Sequence, residues 1–299
     1  MERPYILHMF TPGPQMSPFD VNMAADAGYQ VITPYCHVTR EGITSLVQDA
    51  IFSRGPKGAA RTGLFIGGRD VLLADEMLQL ARKAMMPPFA VSLCADPSGA
   101  YTTAAAMVAC TEAALRQEGG LAGKQVLLLG GTGPVGRVAA VLCARHGARA
   151  ILGSRKEASA KDEAAATAAR FGVSLQGAAT GSPQELRAAL AEADVVMAVA
   201  APGVQVAGQE DLAAARQLKV AVDINAVPPS GLAGVGAKDD AQPLAGTDAV
   251  AIGALAVGNV KYQVQHRLLT RMRESGQPVV FGFDEAFAQA RAVVAEKGR

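Results

Sequence analysis

Short runs of aliphatic and β-branched residues alternate with longer Ala-rich or amphipathic runs along the chain. This alternation predicts βαβ units, in which helices join parallel strands and cover both faces of a sheet. In the first third, the predicted strands are Tyr5–Phe10, Gln30–Thr33, Gly63–Ile66 and Phe89–Leu93. A second series comprises Gln125–Leu129, Ala150–Gly153, Val173–Leu175, Val195–Ala200, Val220–Ile224 and Ala249–Ile252. The chain is therefore expected to be an α/β protein with parallel sheets.

Residues 125–136 combine an apolar strand, a glycine-rich turn and the start of a helix predicted over Pro134–His146. The pattern GxGxxG falls on Gly131, Gly133 and Gly136. Such glycines allow a tight turn, close approach of the backbone to a pyrophosphate, and packing of the helix on the strand. The alternative is a glycine turn without a ligand. The strand–turn–helix context favours a Rossmann-type site for a dinucleotide. Its predicted binding residues are Gly131, Thr132, Gly133, Pro134, Val135 and Gly136.

The end of the next strand predicts which dinucleotide binds. In NAD sites an acidic residue about 20 positions further on binds the ribose 2′-hydroxyl. Here Ser154, Arg155 and Lys156 follow the strand, so a hydroxyl and two cations stand where an acid would be expected. Paired guanidinium donors suit a 2′-phosphate, and we therefore predict NADP. The alternative is that both cations are solvated charges at a helix start.

A glycine cluster at 119–124 follows a helix predicted over Tyr101–Glu118 and separates the two series of strands. A chain of 299 residues is long enough for two domains. We expect an N-terminal α/β substrate domain at residues 1–119 and a Rossmann domain at 120–254. C-terminal helices at 255–299 should pack back on the N-terminal domain. The substrate is expected to bind between the two domains.

Composition excludes several classes of function. The chain has 28 Lys and Arg and 27 Asp and Glu, a formal net charge of +1, which argues against nucleic acid or an anionic membrane as partner. No run of about 18 apolar residues occurs, and the N-terminus lacks the apolar core of a signal peptide. The four cysteines and four histidines show no metal-ligand spacing, so neither a metal nor disulfides are expected. We expect a soluble, cytoplasmic protein that forms a homo-oligomer through its Ala- and Gly-rich helices, with Cys110 and Cys143 as small buried side chains.

Polar residues of the first domain stand at predicted strand ends and helix starts. Asp20 opens the first helix, where it either contacts the substrate or forms a capping box with Ser17. Gly67, Gly68 and Asp70 follow the third strand and either hold a ligand or form a plain βα turn with Asp70 as the helix cap.

Three further candidates lie later in the chain. Thr102 and Thr103 begin the long helix, where they either line a site or belong to an ordinary helix start. Asn225 follows a strand at the carboxyl edge, where open α/β sheets bind ligands. Lys261 follows the last strand on a glycine-flanked helix start, and its alternative is a surface charge on an apolar stem.

Six stretches of the chain, taken in this order, match the sequence pattern of a known enzyme family. They are Ser17–Val21, Phe65–Gly68 with Asp70, Thr102–Ala106, Gly131–Gly136, Asn225–Pro229, and Gly253–Leu255 leading to Lys261. Together they resemble the bacterial NADP-dependent methylene-tetrahydromethanopterin and methylene-tetrahydrofolate dehydrogenases of one-carbon metabolism, over most of the chain. Two departures are Tyr101, where Asn is expected, and Gly258-Asn259, which is less glycine-rich than expected. These bear on pterin selectivity more than on the reaction.

The resemblance implies hydride transfer from the methylene carbon of a reduced pterin to C4 of NADP⁺, which gives the methenyl form. The pterin nitrogens stabilise the resulting cation, so the protein mainly has to align donor and acceptor. The implied catalytic residues are Lys261 and Asp20, which position the pterin. The implied substrate contacts are Thr102, Thr103, Gly67, Gly68, Asp70 and Asn225, and Asn225 also contacts the cofactor.

Three alternatives stay open at this point. The substrate can be the tetrahydrofolate form, which shares the reacting ring. The chain can be a shikimate-type two-domain NADP dehydrogenase, in which a Lys–Asp pair acts on an alcohol. It can also be a protein that binds NADP or a pterin without catalysis.

Overall fold

A computed structural model describes residues 3–298, and over that range the chain alternates strands and helices. The strands are β1 Ile6–Phe10, β2 Val31–Tyr35, β3 Thr62–Ile66, β4 Ser92–Ala95, β5 Gln125–Leu129, β6 Arg149–Ser154, β7 Gln176–Ala179, β8 Val195–Ala198, β9 Val220–Asp223, β10 Asp240–Pro243, β11 Val250–Ile252 and β12 Val280–Phe281. The helices are α1 Pro18–Asp26, α2 Ile43–Phe52, α3 Gly55–Ala59, α4 Val71–Lys83, α5 Ala100–Ala114, α6 Pro134–Arg145, α7 Glu157–Phe171, α8 Pro183–Ala191, α9 Gln209–Ala213, α10 Ala254–Glu274 and α11 Phe283–Lys297.

The chain divides into two compact units. Unit 1 contains the residues up to Thr102 together with Tyr262–Gln289. Unit 2 contains Thr103–Lys261 and the residues from Ala290 onward. The chain passes from one unit to the other within the helices α5, α10 and α11.

Unit 1 is built on a parallel sheet with the strand order β12-β4-β3-β1-β2. Its central strands are buried on both faces, as the fully buried Leu7, Leu64 and Phe65 illustrate. The loops that follow the strands are joined at the carboxyl edge, where Gly67 N donates to Phe10 O at 2.9 Å. This is the edge at which open parallel sheets bind ligands.

Unit 2 contains a sheet with the strand order β10-β11-β9-β8-β5-β6-β7. The six strands from β11 to β7 are parallel and follow the order of the dinucleotide-binding Rossmann fold. Leu127, Leu129 and Val196 lie in a buried apolar cluster of this sheet. Val126 and Leu128 of β5, which alternate with Leu127 and Leu129, are also fully buried, so the continuous apolar run of β5 reflects burial on both faces.

The outer strand β10 is antiparallel to β11, and all four of its residues are exposed. The pairing shifts register between Asp240 and Gln242, and the intervening Ala241 has a φ of 55°. A bulged, exposed strand of this kind ends the sheet.

The α/β class with parallel sheets is confirmed, while some boundaries were wrong. The predicted strand Val173–Leu175 lies three residues too early, because β7 is Gln176–Ala179. A Cβ on Gly177 would lie 2.4 Å from the backbone carbon of Ala160 in α7, so small residues are required where a strand signal would be apolar. The strand predicted over Phe89–Leu93 also begins too early. Phe89 pairs with Met86 across a turn, and β4 begins only at Ser92.

Two strands, β10 and β12, were not predicted, because they are short and lack alternation. Within residues 3–298, no helix combines the length and hydropathy needed to cross a bilayer. The burial expected for Cys110 and Cys143 is confirmed.

Candidate active site

The glycine turn between β5 and α6 is shaped largely by the packing of unit 2 itself. Gly130 has a φ of 74°, and a Cβ there would lie 2.7 Å from the Cα of Ala200. A Cβ on Gly131 would lie 2.6 Å from Leu128 O, and one on Gly136 would lie 2.5 Å from Gly131 O. Glycine at 131 and 136 is therefore needed for the strand and helix to pack.

Gly133 is different, because nothing in unit 2 requires a glycine there. It caps α6 with φ −73° and ψ 169°, which any residue can adopt, and the nearest atom to an added Cβ is Gly130 O at 3.7 Å. The neighbouring Thr132, Pro134 and Val135 are partly exposed. The open backbone at the start of α6 fits an incoming pyrophosphate, which binds helix N–H groups at close range.

Ser154 ends β6, next to β5, and the exposed Arg155 and Lys156 follow it. In the part of the chain that the structure describes, neither cation pairs with an acid. The backbone beneath them is held in place, because Thr180 N donates to Ser154 O at 2.8 Å and a Cβ on Gly181 would lie 2.5 Å from Arg155 O. A fixed backbone with two available cations suits the binding of a phosphate.

Asn225 uses most of its amide within unit 2. Its Oδ1 accepts from Gly203 N at 3.2 Å and from Val227 N at 2.9 Å, and its Nδ2 donates to Pro229 O at 2.9 Å. The buried Asp223 at the end of β9 accepts from the backbone N–H of Asn225 at 2.8 Å. Asn225 therefore joins the loops that follow β8 and β9.

In unit 1, Asp20 lies in the first turn of α1 and is only 2% exposed. Gln265 of α10, itself 1% exposed, donates from Nε2 to Asp20 Oδ1 at 2.6 Å. Ser17 is the N-cap residue but makes no capping bond with its side chain. The capping-box alternative is therefore wrong, because the Ser17 side chain does not cap the helix.

Thr102 is held at the start of α5 by a buried aspartate. Asp96 is fully buried, and its Oδ2 accepts from Thr102 Oγ1 at 2.6 Å. Its Oδ1 accepts from the backbone N–H groups of Tyr101 and Thr102 at 2.9 and 3.1 Å. Thr103 is partly buried and belongs to unit 2. Asp96 was not among the predicted site residues, although an aspartate before Pro97 at a helix start is a signal for such a cap.

The turn after β3 has a complete explanation within unit 1. Asp70 Oδ1 accepts from Leu72 N at 2.9 Å and Leu73 N at 3.2 Å, which caps α4 as predicted. Gly68 has a φ of 106°, and a Cβ there would lie 2.9 Å from Pro12 Cδ. The structure thus accounts for Gly68 and Asp70 as parts of a βα turn.

Lys261 is partly buried on α10, one helical turn before Gln265.

The predicted site residues are divided between the two units. Unit 1 contains Asp20, Gly67, Gly68, Asp70 and Thr102. Unit 2 contains Thr103, Asn225, Lys261 and the predicted dinucleotide-binding residues. Gln265 and Asp96 are the polar residues that the structure adds.

A family model and named relatives match this chain. Residues 18–98 match the family model described as "Methylene-tetrahydromethanopterin dehydrogenase, N-terminal". The chain is 46% identical to the NAD(P)-dependent methylenetetrahydromethanopterin dehydrogenase of Methylorubrum extorquens, over 95% of this chain and 97% of that protein. It is also 32% identical to the Bifunctional protein MdtA of the same organism, over 96% of this chain and 98% of that protein.

Among solved structures, shikimate 5-dehydrogenase from Listeria monocytogenes superposes with a TM-score of 0.52 at 12% identity, with 95% of each chain covered. That likeness shows the fold alone, since its identity is low. The 46% identity extends over nearly the whole of both sequences. The chain therefore belongs to the methylenetetrahydromethanopterin dehydrogenase family.

Proposed function

We propose that this chain catalyses reversible hydride transfer between methylene-tetrahydromethanopterin and NADP. The observation that carries the proposal is the 46% identity to an NAD(P)-dependent methylenetetrahydromethanopterin dehydrogenase over nearly the whole chain. The open glycine turn of unit 2 supports the dinucleotide part of the reaction. When bound there, the nicotinamide supplies the hydride acceptor.

Residues of unit 2 bind the dinucleotide in this proposal. The backbone N–H groups at the start of α6 hold the pyrophosphate, with Gly133 allowing its close approach. Ser154, Arg155 and Lys156 hold the 2′-phosphate, and this group distinguishes NADP from NAD. The two exposed cations and the absence of an acid at the end of β6 support this choice.

Asp20 and Lys261 position the reduced pterin. Loss of a hydride leaves a cation delocalised over the pterin nitrogens, so a nearby carboxylate stabilises the charge that develops. A lysine beside that cation opposes it unless its own charge is balanced, so Lys261 is assigned to orienting the pterin. Neither residue has to transfer a proton.

The other predicted contacts have more limited roles. Thr102 and Thr103 line the site near the nicotinamide, although the Thr102 hydroxyl donates to Asp96. Gly67, Gly68 and Asp70 contact the substrate mainly through the backbone, because the Asp70 side chain caps a helix. Asn225 acts by holding the loops after β8 and β9 in place.

Three properties expected from the sequence stay predictions. They are the three-part division into residues 1–119, 120–254 and 255–299, a homo-oligomeric state and a cytoplasmic location. Tetrahydrofolate as the one-carbon carrier is the second candidate substrate, since it shares the reacting ring.

The test follows the formation of NADPH or NADH at 340 nm with purified protein. Methylene-tetrahydromethanopterin, methylene-tetrahydrofolate and shikimate are supplied in turn, each with NADP⁺ and with NAD⁺. We expect turnover with the methanopterin substrate and a higher kcat/KM with NADP⁺. Turnover with shikimate alone would establish the shikimate-type alternative. Binding of NADP⁺ without turnover of any substrate would refute the enzymatic function.

A further inference from the structure

Asp20 and Gln265 form a buried polar pair within unit 1. The two residues are 245 positions apart, and the Gln265 amide reaches Asp20 Oδ1 at 2.6 Å. Both side chains are almost completely buried. A buried carboxylate is costly unless hydrogen bonds replace its hydration, so the donor at this position matters to the charged form of Asp20.

Several neighbours of Gln265 on α10 are apolar. Val264, Leu268 and Leu269 are each no more than 2% exposed, and they pack as ordinary core residues. An apolar residue at 265 and another at 20 would be at least as stable as a buried polar pair, because replacing both partners removes the desolvation penalty. Stability alone therefore does not account for the pair.

Glutamine is suited to fixing a carboxylate without neutralising it. Its amide donates a hydrogen bond at every pH, whereas a protonated lysine or histidine would add a positive charge that offsets the negative charge of Asp20. The charge of Asp20 also reaches its surroundings. Burial raises the pKa of the Cys94 thiol, and the carboxylates of Asp96, Asp20 and Glu285 raise it further.

We propose that Gln265 is a positioning residue, which holds the Asp20 carboxylate in the orientation that contacts the reduced pterin. This inference rests on the proposed function. Gln265 follows Lys261 by one turn on the same helix, so a single element carries Lys261 and the residue that orients Asp20. Gln265 itself does not touch the reacting atoms.

The central experiment is a double-mutant cycle on kcat/KM for methylene-tetrahydromethanopterin. Gln265→Met preserves length but removes the donor, and we expect kcat/KM to fall about ten- to a hundredfold, as for the loss of a hydrogen bond to a charged group. In an Asp20→Asn background the same change should alter kcat/KM less than about twofold, because there is no carboxylate left to orient. KM for NADP⁺ should stay within about twofold of wild type in all variants, since unit 2 is unchanged.

Gln263→Met is the matched control. Gln263 lies on the same helix, is partly buried and is outside the proposed site. We expect its kcat/KM to equal that of wild type. Circular dichroism and the NADP⁺ affinity by calorimetry establish that each variant is folded.

A second variant keeps the test decisive if Gln265→Met does not fold. Gln265→Glu places a second carboxylate next to that of Asp20, and the two repel each other when both are charged. Lowering the pH from 8 to 6 should restore activity relative to wild type, because one protonated carboxyl can donate a hydrogen bond to the other. The neighbouring titratable groups are Cys94, Asp96 and Glu285 in the same unit, and Lys261 and His266 on α10. They are common to both proteins, so the ratio of variant to wild type removes their contribution.

The outcomes separate the two proposals. A wild-type protein without pterin-dependent NADPH formation refutes the proposed function, and the positioning role fails with it. An active wild type would overturn the positioning role alone in either of two cases. In the first, kcat/KM of Gln265→Met is within about twofold of wild type, or Gln265→Met lowers kcat/KM by the same factor in the Asp20→Asn background. In the second, the ratio for Gln265→Glu does not change with pH.

Discussion

An added methyl group should lower the stability of the protein at one glycine of the turn and its affinity for NADP⁺ at another. Gly136→Ala places a Cβ 2.5 Å from Gly131 O and 2.6 Å from Gly131 Cα, and backbone atoms cannot yield without moving β5. Such overpacking costs about 1–3 kcal/mol. This corresponds to a fall in Tm of about 2–10 °C for a chain of this size.

Gly133→Ala places its Cβ 3.7 Å from Gly130 O, in a backbone conformation that alanine adopts freely. The folded state loses only the preference for glycine at a helix N-cap, about 1 kcal/mol or less. The bound state loses more, because the methyl group occupies the space through which a pyrophosphate reaches the backbone. Losing one charge-assisted hydrogen bond, worth about 1.5–3 kcal/mol, raises the Kd for NADP⁺ at least about tenfold.

The assay pairs thermal unfolding by circular dichroism with titration calorimetry of NADP⁺. Gly276→Ala is the control, because nothing lies within 4 Å of an added Cβ there and neither Tm nor Kd should change much. The expected result is a stable Gly133→Ala that binds NADP⁺ poorly and a Gly136→Ala that is less stable. If Gly133→Ala bound NADP⁺ as tightly as wild type, the pyrophosphate would not bind at this turn.

Three further predictions concern single side chains. Arg155→Ala should weaken NADP⁺ binding about tenfold and leave NAD⁺ binding unchanged, since one charge-assisted contact is lost; equal effects on both nucleotides, measured by calorimetry, would contradict the assignment. Asp20→Ala and Lys261→Ala should each lower kcat/KM for the pterin more than about threefold, or 0.7 kcal/mol, and two smaller effects would remove these residues from the site. Ellman's reagent at pH 8 should modify the exposed Cys36 first, because Cys143 is buried and its pKa is raised to about 12, which keeps its thiol protonated; rapid reaction of all four thiols would refute this burial.

The Rossmann turn was predictable because its determinants are local. An apolar strand, three glycines and a helix start lie within twelve residues, and the sequence shows their spacing directly. The structure adds that Gly130, outside the pattern, has the positive φ, and that Ala200 of a distant loop leaves no space for a Cβ there. A contact with a residue seventy positions away cannot be predicted from a local sequence pattern.

The same reasoning explains the predictions that were wrong or incomplete. The sequence places Asp20 and Ser17 at capping-box spacing, yet the Ser17 side chain makes no capping bond, and the Asp20 carboxylate accepts a hydrogen bond from Gln265, 245 positions away. The strand β7 was missed because Gly177 and Ala178 are small, as close packing against α7 demands. In both cases tertiary contacts override the local signal.

The exposed strand β10 also limits how copies of this chain can associate. Pro243 has no N–H to donate, Asp240 is charged, and the bulge at Ala241 interrupts regular pairing. Such a boundary is a poor template for a strand from another molecule. The predicted homo-oligomer therefore cannot readily be built by continuing the large sheet past β10 into a neighbouring subunit. The Ala- and Gly-rich helices, which permit close packing, remain the predicted contact between subunits.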